Sequence, residues 1–133
     1  MDDFPTPPWA TRAFIEKVVR PNFYLGNICL EPACNRGYMA RPLKEYFPHV
    51  LARDVHDYGC GYLVDDFLFP RPLPATRPEW IITNPPFRLA AQFIERAREM
   101  AVIGCAMLVR TSFLEGAERY KTLFSVAPPT IVA

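Results

Sequence analysis

The sequence predicts a doubly wound α/β domain whose sheet is mainly parallel, and three observations carry that expectation. Short apolar runs alternate with segments in which apolar residues recur at helical spacing. A proline-rich stretch interrupts the alternation once, midway along the chain. Glu31, Asp54, Asp66 and Asn84 each fall just past the end of an apolar run, where folds of this class hold their ligands.

The 133 residues suffice for one domain with a real core, so residues 1–133 are read as a single domain. Half are apolar and 22% are charged, an ordinary globular balance that excludes a disordered chain. The formal charge of +1 comes without a basic stripe, so charge alone does not point to a nucleic acid. Met1-Asp2-Asp3-Phe4-Pro5 lacks the basic and apolar regions of a signal peptide, and the longest apolar run, Met100 to Val109, is about half a membrane span. A cytoplasmic protein without a membrane segment is expected. Cys29, Cys34, Cys60 and Cys105 include no CxxC pair, which suits reduced thiols. The spacing of Cys34, His56 and Cys60 matches no zinc pattern, so no metal is expected.

Thr6-Pro7-Pro8, followed by Trp9, Phe14, Ile15, Val18 and Val19, reads as a helix with a threonine cap, a proline-tolerant first turn and an apolar stripe, stopped before Pro21. Ile28-Cys29-Leu30 is a buried strand that ends in the turn Glu31-Pro32. Gly37 opens a weaker helix to about Phe47, in which Pro42 must lie in the first turn. Val50 to Val55, Tyr62 to Val64, Trp80 to Thr83 and Cys105 to Val109 read as further strands. Before the last of them, Leu89, Phe93, Ile94, Ala97 and Met100 recur at helical spacing opposite Glu95, Arg96, Arg98 and Glu99.

Leu68 to Pro78 holds Pro70, Pro72, Pro74 and Pro78 and cannot be a regular helix. Extended, it reaches roughly 35 Å, against about 15 Å for stepping across two strands. It can therefore return the chain to the far side of the first strand, which creates a topological switch point and its crevice.

Glu31-Pro32-Ala33-Cys34-Asn35-Arg36-Gly37 leads from strand to helix, where free N–H groups favour an anion, although an ordinary turn reads the same way. Asp54 suits the two hydroxyls of a ribose or, equally, an Asx turn. Asp66-Phe67 offers an acceptor and a ring to an adenine, with Asp65 as a competing carboxylate. Asn84-Pro85-Pro86-Phe87 is the most specific signal. An exocyclic adenine amine is a poor nucleophile because its lone pair is delocalised into the ring. The Asn84 side-chain oxygen and the Pro85 carbonyl, aimed at its two hydrogens, would turn that lone pair toward an electrophile. Consecutive prolines preorganise those acceptors, and Phe87 supplies a flat face for stacking.

Glu31-Pro32-Ala33-Cys34 with Gly37, Asp66-Phe67-Leu68 and Asn84-Pro85-Pro86-Phe87 together resemble the S-adenosylmethionine-dependent amino-methyltransferases that modify adenine N6 in DNA. Thr6-Pro7 is similar to that family's N-terminal motif, and Thr111-Ser112-Phe113-Leu114-Glu115-Gly116 resembles the segment after its fifth strand in phage-type members. The likeness runs from residue 4 to about 129. It implies a Rossmann-like methyltransferase sheet, S-adenosylmethionine as cofactor and DNA as substrate, with the target base swung out of the duplex. Glu31, Pro32, Ala33, Gly37, Asp54, Asp66, Phe67 and Asn84 would line the cofactor pocket, with Thr6 and Pro7 over its methionine end. Asn84, Pro85, Pro86 and Phe87 would hold the target amine.

Two departures from the family pattern stand out. Many members carry glycine at the position of Asn35, where asparagine tolerates the same backbone. The family's sheet has one more strand after the one beginning near Thr130, whereas this sequence stops at Ala133. A sheet lacking its last strand leaves the fifth strand as an open edge, to be covered by a second copy unless the chain is a fragment. Two rival functions stay open. One is methyl transfer to RNA adenine or to a protein glutamine amide, and the other is a cofactor-binding protein or truncated remnant without activity.

Overall fold

The computed structural model describes residues 5–108. Its strands are β1 (Ile28–Glu31), β2 (His49–Asp54), β3 (Leu63–Val64), β4 (Trp80–Thr83) and β5 (Gly104–Met107). They form one sheet in the order β3-β2-β1-β4-β5, and every pairing is parallel. β1 is flanked on both sides, with Cys29 opposite Val50 in β2 and opposite Trp80 in β4. Strands buried on both faces need no polar alternation, which is why β1 and β4 read as unbroken apolar runs.

Successive residues of these strands feed two separate cores. Cys29, Trp80 and Ile82 pack on one face against Ile15, Val19, Met39, Leu43 and Phe47. Leu30 and Ile81 pack on the other against Phe67, Phe93, Ala97 and Met100. The first face is covered by α1 (Pro8–Phe14), which continues through a π-helical segment, Ile15–Val19, into the short α2 (Arg20–Asn22), and by α3 (Ala40–Leu43). The second is covered by α4 (Ala90–Met100), preceded by a 3-10 turn at Phe87–Leu89. Helices thus lie on both faces, as the doubly wound reading requires.

Residues 68–78 join β3 to β4 on the far side of β1, so the switch point expected from the proline-rich stretch is present. Arginines tie this loop down. Arg71 binds Asp65 at 3.0 Å, Arg96 Nη2 donates to the Arg71 carbonyl at 2.9 Å, and Arg77 donates to the Met100 and Glu99 carbonyls at the end of α4. Glu79 accepts from the N–H groups of Asn27 and Ile28, linking the entry of β4 to that of β1.

Three local expectations need correction. Thr6 does not cap α1; the cap position is Pro7, without a side-chain hydrogen bond. The helix does not stop before Pro21 but runs through it to Asn22. Pro21 removes a donor and crowds the preceding turn. The wider π turn over Ile15–Val19 makes room, while the Asn22 side chain serves the Val18 carbonyl at 2.7 Å. The helix expected from Gly37 to Phe47 is only Ala40–Leu43, with Pro42 in its first turn, and residues 35–39 form turns instead. The expectations for Val109, for the segment from Thr111 to Gly116 and for a strand near Thr130 lie outside the described residues. No described helix is long and apolar enough to cross a membrane.

Candidate functional site

A crevice of about 420 Å3 opens at the carboxyl ends of β1 to β4, a volume ordinary for a small-molecule site. Glu31, Pro32 and Ala33 enter it from β1, Asp54 from β2, Asp66 and Phe67 from the segment after β3, and Asn84 and Pro86 from the loop after β4. Thr6 reaches it from the segment before α1. Pro7, Gly37, Pro85 and Phe87 are not among its lining residues. Phe87 packs instead toward Ala90 and Ile94 of α4, so the stacking face expected of it is not in the crevice wall.

Glu31 is 2% exposed. One carboxyl oxygen accepts both the Thr83 hydroxyl and, at 2.9 Å, the Ala33 N–H. Burial pushes the acid up to about 8; the two hydrogen bonds oppose that rise, and the charge of nearby Asp54 adds to it. Glu31 is therefore largely neutral at pH 7. Asp54 accepts from the N–H groups of Asn35 and His56, both at 2.9 Å, the second bond closing an Asx turn. Asp66 closes another with the Leu68 N–H at 3.1 Å. Both Asp65 and Asp66 line the crevice, and Arg71 pairs with Asp65.

The loop after β1 differs from an open anion cradle. The N–H groups of Ala33, Cys34, Asn35 and Gly37 donate to Glu31, Arg53, Asp54 and Cys34 respectively. These four donors are engaged within the protein, and α3 is a single turn that begins only at Ala40. Asn35 has φ +52°, the left-handed conformation that asparagine tolerates. Gly37 has φ +89°, and a Cβ there would overlap the Tyr62 hydroxyl and lie 2.9 Å from Arg41 Nη1.

Asn84 is half-buried, and its side-chain nitrogen donates to the Thr6 hydroxyl at 3.1 Å. Pro85 is buried, and Pro86 has φ −55° and ψ 132°, an extended proline conformation. Phe67 is only 7% exposed and meets the Phe93 ring at 5.1 Å, so it forms a wall rather than a projecting platform.

Sequence reasoning did not assign Tyr38, Met39, Val55, His56, Tyr58, Leu68, Leu89 and Phe93 to the crevice. Val55 and His56 were reachable, since they directly follow Asp54. Phe93 was not, because its helical spacing marks it as core and it serves as both. Cys34 contributes a buried thiol that burial, together with Glu31 and Asp54, pushes up to about 12, well beyond reactive range. Among the described residues no three His, Cys, Asp or Glu side chains converge as a metal site.

Four acids line the crevice, Glu31, Asp54, Asp65 and Asp66, and no Lys or Arg does among the described residues. The class this defines is an α/β domain with an acid-lined ligand crevice at a topological switch point. Compared with models of known protein families and with curated proteins, the sequence finds no match.

Proposed function

We propose that the chain is a cytoplasmic S-adenosylmethionine-dependent N-methyltransferase whose acceptor is an exocyclic amine, adenine N6 in DNA first among the candidates. The observation that carries this reading is the pair of carboxylates, Asp54 and Asp66, that line the crevice with no Lys or Arg in its wall among the described residues, beside the Asn84-Pro85-Pro86 loop; Glu31 is neutral and Asp65 is paired with Arg71. Such a crevice repels the phosphates of nucleotide cofactors and favours a ligand bearing sulfonium and ammonium charges. Its apolar wall, with Ala33, Val55, Leu68, Phe67 and Phe93, suits an adenine ring.

Asp54 and Asp66 are the acceptors proposed for ribose hydroxyls and the adenine amino group, since carboxylate oxygens accept more than one hydrogen bond. Thr6, Glu31, Pro32 and Ala33 form the remaining wall, while Gly37 acts at one remove by permitting the turn. When bound, the cofactor supplies an electrophilic methyl carbon. Asn84 Oδ1 and the Pro85 carbonyl accept the two N–H groups of the incoming amine and aim its lone pair into the crevice. The buried prolyl backbone keeps them in place before the acceptor arrives. The amine's surplus proton passes to water, so the loop needs no base.

A second reading is favoured by the position of Phe87. A protein glutamine amide presents the same planar NH2 and needs no stacking face, so it fits a loop whose phenylalanine packs on α4. RNA adenine shares the chemistry of the first reading. β5 has only β4 as its partner among the described residues, and we extend the proposal to two copies meeting at that edge. A monomeric mass by light scattering rules the pairing out.

The test is incubation with methyl-labelled cofactor and DNA, RNA and protein acceptors in parallel, alongside calorimetry. Label on DNA adenine supports the proposal. Binding heat with no label on any acceptor identifies a cofactor-binding domain without transfer, and no binding heat at all overturns the cofactor assignment.

A further inference from the structure

Thr6 is buried although Pro5 and Pro7 beside it are exposed, and it does not cap the helix that follows. Its hydroxyl is directed to Asn84 instead, receiving the Nδ2 hydrogen at 3.1 Å across a sequence separation of 78 residues. Both ends of this bond sit on stiff backbone. Thr6 lies within Pro5-Thr6-Pro7-Pro8 and Asn84 within Asn84-Pro85-Pro86, so each precedes a proline and is confined to extended conformations.

We infer that Thr6 is a positioning residue, holding the nitrogen branch of the Asn84 amide so that the oxygen branch is the one offered to the acceptor amine. The terminal torsion of asparagine is soft and roughly two-fold, so packing alone discriminates poorly between the two ends of the amide. A half-turn would place an NH2 group against the acceptor's own NH2 and oppose binding in the productive orientation. A hydroxyl fixed on a proline-bound segment removes that freedom before the acceptor arrives. The inference rests on the proposed transfer reaction for its consequence, but the bond itself can be read without activity.

Thr6→Val deletes the hydroxyl at nearly constant volume, and Thr6→Ser retains it. In the 15N-labelled full chain, the Asn84 side-chain amide pair should hold its position in Thr6→Ser and move toward the averaged position of solvent-exposed amides in Thr6→Val. With saturating cofactor, kcat should fall about ten- to hundredfold in Thr6→Val and stay within about threefold in Thr6→Ser, which keeps the hydroxyl. An unmoved amide pair in a folded Thr6→Val overturns the inference. So does a loss of cofactor affinity with kcat intact, which makes Thr6 a cofactor contact. If the unaltered chain transfers methyl to no acceptor, the proposed function fails, and the amide resonance alone still decides the role of Thr6.

Discussion

Replacing Glu31 with glutamine should turn a fold that weakens with rising pH into one that is nearly flat between about pH 5 and about pH 8. Glu31 is held neutral by burial, and its pKa rises from 4.5 to about 8. Between those values the unfolded chain has released the proton that the folded chain keeps. The folded state binds more protons, so the contribution of Glu31 to stability is full below about 4.5, falls across the interval and is lowest above about 8. At about 1.4 kcal/mol per pH unit, the interval sets an upper limit on the order of 5 kcal/mol. Water penetration and relaxation reduce it, but even 2 kcal/mol moves the melting temperature by roughly 5–10 °C. Glutamine is nearly isosteric, and its Oε1 can accept the same Thr83 and Ala33 bonds. Urea melts at about pH 5, 6.5 and 8.5 should give similar stability for the two proteins at the lowest pH and an advantage for Glu31→Gln at the highest. Parallel curves across the series would show that Glu31 ionises as an exposed acid does and would refute the argument.

Further consequences follow from the same geometry. Asn84→Ala should lower methyl transfer by about a hundredfold or more, measured with labelled cofactor, while cofactor affinity by calorimetry stays within about tenfold. Gly37→Ala forces a side chain into a left-handed turn against Tyr62 and should cost about 1–3 kcal/mol in urea melts; adding Tyr62→Phe should recover part of it by clearing the hydroxyl. Asn35→Gly keeps the required backbone and should change stability by no more than about 1 kcal/mol, whereas Asn35→Val should lose about 1–2 kcal/mol, the same melts deciding. Arg77→Ala removes two bonds to the last carbonyls of α4, at 2.8 and 3.0 Å, and should cost about 1–2 kcal/mol, with faster amide exchange in the proline-rich loop.

The strands were legible because their signal is local. Trp80–Thr83 falls on the run read as a strand, β1 and β3 differ from their expected limits by one residue at one end, β2 is shifted by one residue at both, and β5 begins one residue early. The prolines between residues 68 and 78 excluded a helix by covalent geometry alone, and the length of that stretch allowed the chain to cross to the far side of β1, where the sheet order has β4. The acids at the strand tips followed from the same alternation. The helix after Gly37 was overcalled because weak helical spacing does not reveal that the Asn35 N–H is drawn to Asp54 and the Gly37 N–H to the Cys34 carbonyl, which sets a turn where the helix was expected to start.

Apolar runs, their period and the placement of proline were thus sufficient for the strand positions, the switch point and the acids that surround it, since each depends on neighbouring residues or on chain reach. Tertiary contact alone decided that Glu31 is neutral, that Phe87 packs on α4 and that Thr6 turns from its helix to Asn84. Those outcomes depend on which distant groups meet and on how much water is removed around them, and neither quantity is written into any short stretch of the chain.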